Sequence, residues 1–253
     1  MEKADEDSLI SLENVSKSFG AIQALNQISL RIGRNEVVGL MGDNGAGKST
    51  LVKILAGNYR PTEGSYLIEN RLVSFANPAE ARSRGIEVVY QDLALCNNLT
   101  AAANVFLGRE ITRKVGLFRV LDHAAMVVRA GALFRELQSD TRPRDLVERM
   151  SGGQRQAVAI ARTRLAEAKL ILMDEPTAAI SVRQVAQVLA LIKRLKDQGH
   201  SVVLISHRMP DVFTTCDRVI VLRRGRMVAD KPIASSSPEE VTGLITGAID
   251  YGG

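Results

Sequence analysis

One run of residues has the types and spacing to hold phosphate: Gly42-Asp43-Asn44-Gly45-Ala46-Gly47-Lys48-Ser49, followed by Thr50. It fits the pattern Gly, four residues, Gly-Lys-Ser, in which a strand leads into a loop and the loop into a helix. Glycines let the backbone wrap an anion where a side chain would collide or the required φ would be costly. The loop N–H groups then converge at a helix N-terminus, where the helix dipole also favours negative charge. Lys48 reaches the β- and γ-phosphates of a nucleotide, and the Ser49 hydroxyl is placed to coordinate Mg²⁺. Small-molecule kinases, GTPases and motor ATPases all use such a loop, so it does not name a reaction.

A second constellation is acidic. Residues 170–176 read Leu-Ile-Leu-Met-Asp-Glu-Pro, an apolar strand that ends in two carboxylates. In an open α/β sheet, ligands bind beyond the carboxyl ends of the strands. There Asp174 holds Mg²⁺ through water, and Glu175 orients or deprotonates an attacking water. Ser206-His207 closes another apolar run in the same way, with His207 in reach of a γ-phosphate. Gln91 follows the run 86–90, where it can ligate the metal and touch the water.

These residues need elements to position them. The runs 36–41, 86–90, 170–174 and 201–206 are short and apolar throughout, as expected of strands buried on both faces of a parallel sheet. Residues 9–15, 26–32 and 65–75 alternate apolar with polar and predict a smaller antiparallel sheet, with a turn at Asn70-Arg71. Asn77-Pro78-Ala79-Glu80 and Ser237-Pro238-Glu239-Glu240 have the cap, proline and glutamate order of helix starts. Val185, Val188, Leu189, Ile192 and Leu195 form one helical stripe before Gly199. Ser49 to Ala56 read as a helix halted by Gly57. Residues 92–165, rich in Ala and Arg and without a clear buried strand, read as a helical insertion.

The composition excludes several classes. With 253 residues, 45% hydrophobic and 24% charged, the chain is an ordinary globular unit, neither disordered nor collagenous. No apolar run approaches the ~18 residues of a membrane span. Cys96 and Cys216 lie outside any metal-ligand spacing and read as idle thiols in a reducing compartment. The net charge of +5 raises the question of nucleic acid. The cations, however, are spread thinly, in small clusters at Arg142, Arg144 and Arg149 and at Arg223, Arg224 and Arg226. No aromatics interleave with them as a stacking platform requires, so the expectation is a solvated surface and no nucleic acid.

Met150-Ser151-Gly152-Gly153-Gln154-Arg155-Gln156 brings these parts together. It resembles the signature segment of ABC-type ATPases, and the phosphate loop, Gln91, signature, Asp-Glu-Pro and His207 stand in that family's order. The resemblance spans almost the whole chain. It implies a P-loop (RecA-like) parallel-sheet core over 1–91 and 166–253, with a small antiparallel β subdomain, and a helical signature subdomain at 92–165. All would belong to one ATPase domain, 1–253. It also implies that Phe19 stacks on adenine. Ser151, Gly152, Gly153 and Gln154 would meet the γ-phosphate of ATP held by a second copy, in a head-to-tail pair. The implied reaction is phosphoryl transfer to water, with Lys48, Glu175, His207 and Gln91 as catalytic groups and ATP and Mg²⁺ as cofactors. Ser49, Gln91 and Asp174 would hold the metal. One departure stands out: Ser181 occupies a position where the family commonly has Asp.

The segments GIEVVYQDLAL, NVFLGRE, EPTAAISV and LITGA resemble ATPases of bacterial monosaccharide importers, the fructose-import type in particular. That implies a membrane permease partner, a periplasmic sugar-binding protein acting indirectly, and a place on the cytoplasmic face of the inner membrane. Residues from Asp92 to Asn104, with the helical insertion, would then receive the permease. The alternative is a non-transport ABC ATPase acting on nucleic acid or ribosomes. That class needs a long coiled-coil insertion or a second ATPase domain, and this chain has one phosphate loop and one signature.

Overall fold

The computed structural model describes residues 8–178 and 180–249. Two long strands open the chain, β1 (Ser8–Phe19) and β2 (Ile22–Gly33), and the buried β3 (Val37–Met41) leads through the glycine loop into helix α1 (Lys48–Leu55). Strands β4 (Glu63–Ile68) and β5 (Arg71–Leu72) follow, then α2 (Pro78–Ser83) and β6 (Ile86–Val89). The next stretch contains α3 (Ala101–Phe106), an exposed hairpin of β7 (Thr112–Val115) and β8 (Phe118–Leu121), α4 (His123–Glu136) and α5 (Gly152–Leu165). The chain then alternates through β9 (Leu170–Asp174), α6 (Val182–Asp197), β10 (Ser201–Ile205), α7 (Met209–Thr215), β11 (Arg218–Arg223), β12 (Arg226–Pro232) and α8 (Pro238–Thr246).

Six strands form the main sheet in the order β12-β11-β3-β10-β9-β6, all parallel except β12. Its apolar strands alternate between two cores, because successive side chains point to opposite faces. Val38, Leu40, Leu170, Leu172, Val203, Ile205, Ile220 and Leu222 pack with α1 and the antiparallel sheet. Val37, Met41, Ile171, Met173, Val202, Leu204, Val219 and Val221 pack with α3 to α8. The continuous hydrophobicity of these strands thus reflects cover on both sides.

The second sheet, β2-β1-β4-β5, is antiparallel. The turn between β4 and β5 falls on Glu69 (φ 50°) and Asn70 (φ 60°), one residue ahead of the Asn70-Arg71 expectation. A two-residue hairpin turn of this kind needs left-handed backbone at both central positions, and Asn tolerates it well. Arg218 ties the two sheets together: its guanidinium donates to Glu36 (2.7 Å), to Asp230 (2.6 Å) and to the Arg31 carbonyl (2.6 Å).

The helix starts follow their sequence marks. Asn77 Oδ1 accepts from the Ala79 and Glu80 amides at 3.0 and 3.2 Å, with Pro78 in the first turn. Ser237 caps α8 through the Glu240 amide (3.1 Å). The expected stripe of α6 is buried in full, joined by Leu191. Two pieces were not expected: the β11–β12 hairpin and the β7–β8 ribbon. Among the described residues no helix is long and apolar enough to cross a membrane.

Candidate active site

The register of the main sheet gathers the site. Leu40 of β3 lies opposite Ile205 of β10, and Ile205 lies opposite Asp174 of β9. One residue further along each strand come Met41, Ser206 and Glu175, where the Glu175 amide donates to the Ile205 carbonyl (3.0 Å). Val89 of β6 pairs with Met173, so Tyr90 and Gln91 emerge beside Asp174. Tyr90, Gln91, Asp92, Ala94 and Asp174 line one open cleft. Four separate segments therefore reach one edge of the sheet.

The glycine loop sits at the centre of that edge. Gly42 has φ 149°, and a Cβ there would stand 2.3 Å from the Leu222 carbonyl oxygen. Gly47 has φ 104°, and its Cβ would meet Leu25 and the Ala24 carbonyl at 2.7 and 2.9 Å. Both positions demand glycine twice, for backbone conformation and for space. The bracing comes from the β11–β12 turn: Gly225 donates to the Ala46 carbonyl (3.0 Å), and its own carbonyl accepts from Asn26 (2.8 Å). As the residue before α1, Gly47 offers no side chain to cap the helix, so the first-turn amides of α1 face the loop mouth.

Lys48 lies across the mouth, donating to the carbonyls of Gly42 (2.6 Å) and Asp43 (2.9 Å). Burial pulls its pKa below the ordinary lysine value, against the opposing charges of Glu175, Asp43 and Asp174. Burial pushes the Asp174 carboxyl upward, while Lys48 and Lys53 hold it down. Each group is thus poised near an opposite charge in a partly dry site, a condition under which a further anion or cation shifts both strongly.

Glu175 adopts φ 49°, a left-handed conformation uncommon for a side-chain-bearing residue and frequent at functional sites. His207 Nδ1 stands 2.9 Å from Glu175 Oε2, without the alignment of a hydrogen bond. That buried oxygen has no hydrogen-bond partner, so an acceptor is held ready at the sheet edge. The histidine ring is largely exposed. Behind them, Thr177 donates to the buried Asp211 of α7 (2.5 Å), and Arg208 lies 3.3 Å from the same carboxylate. This clasp fixes the segment after Glu175 against the helix after His207.

Phe19 lies at the end of β1, half exposed, with the Tyr59 ring edge-on at 5.2 Å and Lys17 Nζ 5.1 Å from its centroid. Tyr59 was not among the sequence candidates; an aromatic just after a short helix carries no motif to single it out.

The segment Ser151–Gln154 lies apart, at the start of α5. Gln154 donates its amide to Ser151 Oγ (3.3 Å) and accepts from the Ser151 amide (3.0 Å), a capping box. A Cβ on Gly152 would stand 2.7 Å from the Ile180 Cγ2 methyl. Ser181 starts α6, where Gln184 Oε1 accepts from its amide (2.9 Å) and its hydroxyl (3.0 Å).

As possible metal donors, the Ser49 hydroxyl, the Asp174 carboxylate and the Gln91 amide are all hard oxygens, with a single carboxylate. That set fits Mg²⁺, which keeps several waters and relies on substrate phosphates.

Comparison with known proteins agrees with this geometry. Residues 25–178 match the model of the ABC transporter family. A xylose/arabinose import ATP-binding protein of Sulfolobus acidocaldarius is 44% identical over 239 residues, covering 94% of each chain. A fructose import ATP-binding protein of Rhizobium meliloti is 40% identical over 249 residues, covering 96% of this chain and 95% of its own. Other relatives, import ATP-binding proteins for ribose and galactose, are longer, and this chain spans 48% of their length. Among solved structures, a dimeric ATP-binding cassette bound to ADP and Pi in a post-hydrolysis state is similar, with a TM-score of 0.73. It is 29% identical and covers 88% of this chain and 98% of its own.

Proposed function

This chain belongs to the ABC transporter family, and on that footing we propose that it is the ATP-hydrolysing subunit of a monosaccharide importer. The observation that carries the catalytic part is the convergence of Lys48, Asp174, Glu175 and His207 on one sheet edge, with a buried, unpartnered oxygen of Glu175 beside His207. The sugar comes from the relatives, which import xylose or arabinose in one case and fructose in another.

In this reading the amides of residues 43–50 and the Lys48 ammonium bind the β- and γ-phosphates and neutralise charge that develops on the transferred group. Phe19 stacks on the base. Glu175 accepts a proton from the attacking water, and its backbone and the Thr177–Asp211 clasp fix where that water stands. His207 donates to the γ-phosphate and Gln91 orients the water from the opposite side. Ser49, Asp174 and Gln91 hold Mg²⁺, which when bound offsets phosphate charge.

Ser151 to Gln154 act on nucleotide held by a second copy, so two chains close head to tail around two ATP molecules. The dimeric ADP-bound relative supports this arrangement. The groove lined by Tyr90, Leu93, Ala94, Arg109 and Arg162 would receive the permease. Asn104, fully buried, shapes that region by bonding both the amide and the carbonyl of Cys96 (2.8 and 2.9 Å). The chain would then work at the inner face of a membrane, peripherally.

The test is purification of the chain from the membranes of its own host. A multi-span permease should co-purify, and ATP hydrolysis should rise when sugar and its binding protein are added. Hydrolysis that ignores every sugar, or is stimulated by nucleic acid instead, would contradict the import reading.

A further inference from the structure

The β7–β8 ribbon takes no part in the site. Its strands pair with each other and with neither sheet, and all their residues are exposed. The register sets Thr112 opposite Leu121, Arg113 opposite Val120, Lys114 opposite Arg119 and Val115 opposite Phe118. Alternation therefore gives one face Arg113, Val115, Phe118 and Val120, and the other Thr112, Lys114, Arg119 and Leu121. Gly116 (φ 60°) and Leu117 make the tip, a two-residue loop with glycine at its first position. Leu117 is 100% exposed and Phe118 75%.

This composition works against an isolated hairpin. Two strands alone are marginal in water, and like charges directly opposite, here Lys114 and Arg119, weaken them further. Among the described residues none of Arg113, Lys114 and Arg119 joins an ion pair. Arg119 donates only to Thr112 Oγ1, at 3.0 Å from its Nη2. No acidic residue lies between Glu110 and Asp122, and Asp122 is engaged as the cap of α4 through the Ala125 amide (2.9 Å). The ribbon is an apolar tip collared by cations on both faces.

We propose that the ribbon is a membrane-surface anchor: Val115, Leu117 and Phe118 enter the headgroup–acyl boundary, and Arg113, Lys114 and Arg119 meet anionic headgroups. A protein pocket recognises cations from fixed directions, whereas a fluid anionic surface accepts them all around the tip, as here. A four-residue strand spans about 13 Å, comparable with the roughly 5–10 Å depth that interfacial elements reach. The position also suits the role: Arg109, which pairs with Glu87 (2.6 Å) in the groove assigned to the permease, lies shortly before the ribbon. The proposal goes beyond the import reading, since lipid binding requires neither ATP nor permease.

The chain has no tryptophan, so Phe118→Trp gives a single-site reporter. Its emission should shift to the blue when phosphatidylcholine vesicles containing phosphatidylglycerol are added, and should shift little with phosphatidylcholine alone. The wild-type chain should sediment with the anionic vesicles at low salt and be released at high salt. Arg113→Gln/Lys114→Gln/Arg119→Gln should lower that binding by about tenfold or more. Leu117→Asp/Phe118→Asp should abolish it. Both variants should hydrolyse ATP as the wild type does, which certifies their folding. Absence of a blue shift with anionic vesicles would overturn the proposal. So would a shift seen only when the permease is present, which would assign the ribbon to a protein. Because vesicle binding is read without nucleotide, a failed ATPase assay and a failed anchor give different results.

Discussion

Two glycine-rich turns precede helices in this molecule, and they use glycine for different reasons. In the loop before α1, Gly42 and Gly47 have backbone conformations that side chains resist, and the space beside them is filled by the Leu222 carbonyl of β11 and by the Ala24 carbonyl and Leu25 side chain of β2. At the start of α5, Gly152 is helical, and what fills its Cβ space is one methyl of Ile180. The first turn is dictated by its own chain and cannot be rebuilt around a larger residue. The second is dictated by contact, here with the segment after Glu175 and, in the proposed dimer, with a partner's nucleotide. In that proposal a bound anion at the first turn needs one molecule, and completion at the second needs two.

The widest separation between the turns should come from Glu175→Gln. It belongs to the first turn's edge, so nucleotide should still bind while phosphate release falls by about 100-fold or more. Turnover within a few-fold of wild type would remove Glu175 from the chemistry. Next, Gly42→Ala should destabilise the fold by about 1–3 kcal/mol and lose affinity for a fluorescent ATP analogue. Gly152→Ala should keep that affinity, because the Ile180 side chain can move, and lose hydrolysis instead. Equal effects of the two substitutions on nucleotide affinity would erase the contrast.

Thr177→Val probes the link between the turns, since Thr177 belongs to the segment that carries Ile180. It leaves the buried Asp211 short of a donor, and urea unfolding should show a loss of about 1–3 kcal/mol. Nucleotide affinity should change less than hydrolysis.

The smallest effect lies away from both turns, at Glu69, which accepts from Lys169 (2.8 Å) and Arg34 (2.7 Å). The Lys169 and Arg34 hydrogen bonds hold its pKa down to about 2. A folded pKa below the unfolded one stabilises at pH above the unfolded value, and that contribution fades as pH falls towards 2. Because the carboxylate is over a third exposed to solvent, Glu69→Gln should cost less than about 1 kcal/mol at neutral pH. The variant should flatten the acid limb of the stability curve and leave ATP hydrolysis alone.

Much of this was legible in the sequence where burial is complete. The strands under the site are apolar on both faces, so their ends, and hence Asp174, Glu175, His207 and Gln91, could be placed by reading where each run stops. The phosphate loop was legible because Gly42 and Gly47 stand where backbone conformation and space exclude a side chain. The β11–β12 hairpin that braces it was not, since Gly225 makes its two backbone hydrogen bonds at φ 77° with a Cβ position 2.8 Å from the Ala24 carbonyl, and a lone glycine between arginines does not say which distant segment it meets. The β7–β8 ribbon is not legible in the sequence, because an exposed strand pair has no apolar face turned to a core and its alternation is broken by cations. Tyr59 meets Phe19 only through the fold, and the Thr177–Asp211 bond joins residues that no local pattern relates.

The most direct measurement is the oligomeric state of Glu175→Gln during sedimentation with Mg²⁺ and ATP, alongside the same chain carrying Ser151→Arg. The account requires the first to form a dimer holding two nucleotides, and the second to remain a monomer that still binds one. A Glu175→Gln chain that stays monomeric with nucleotide bound would contradict it.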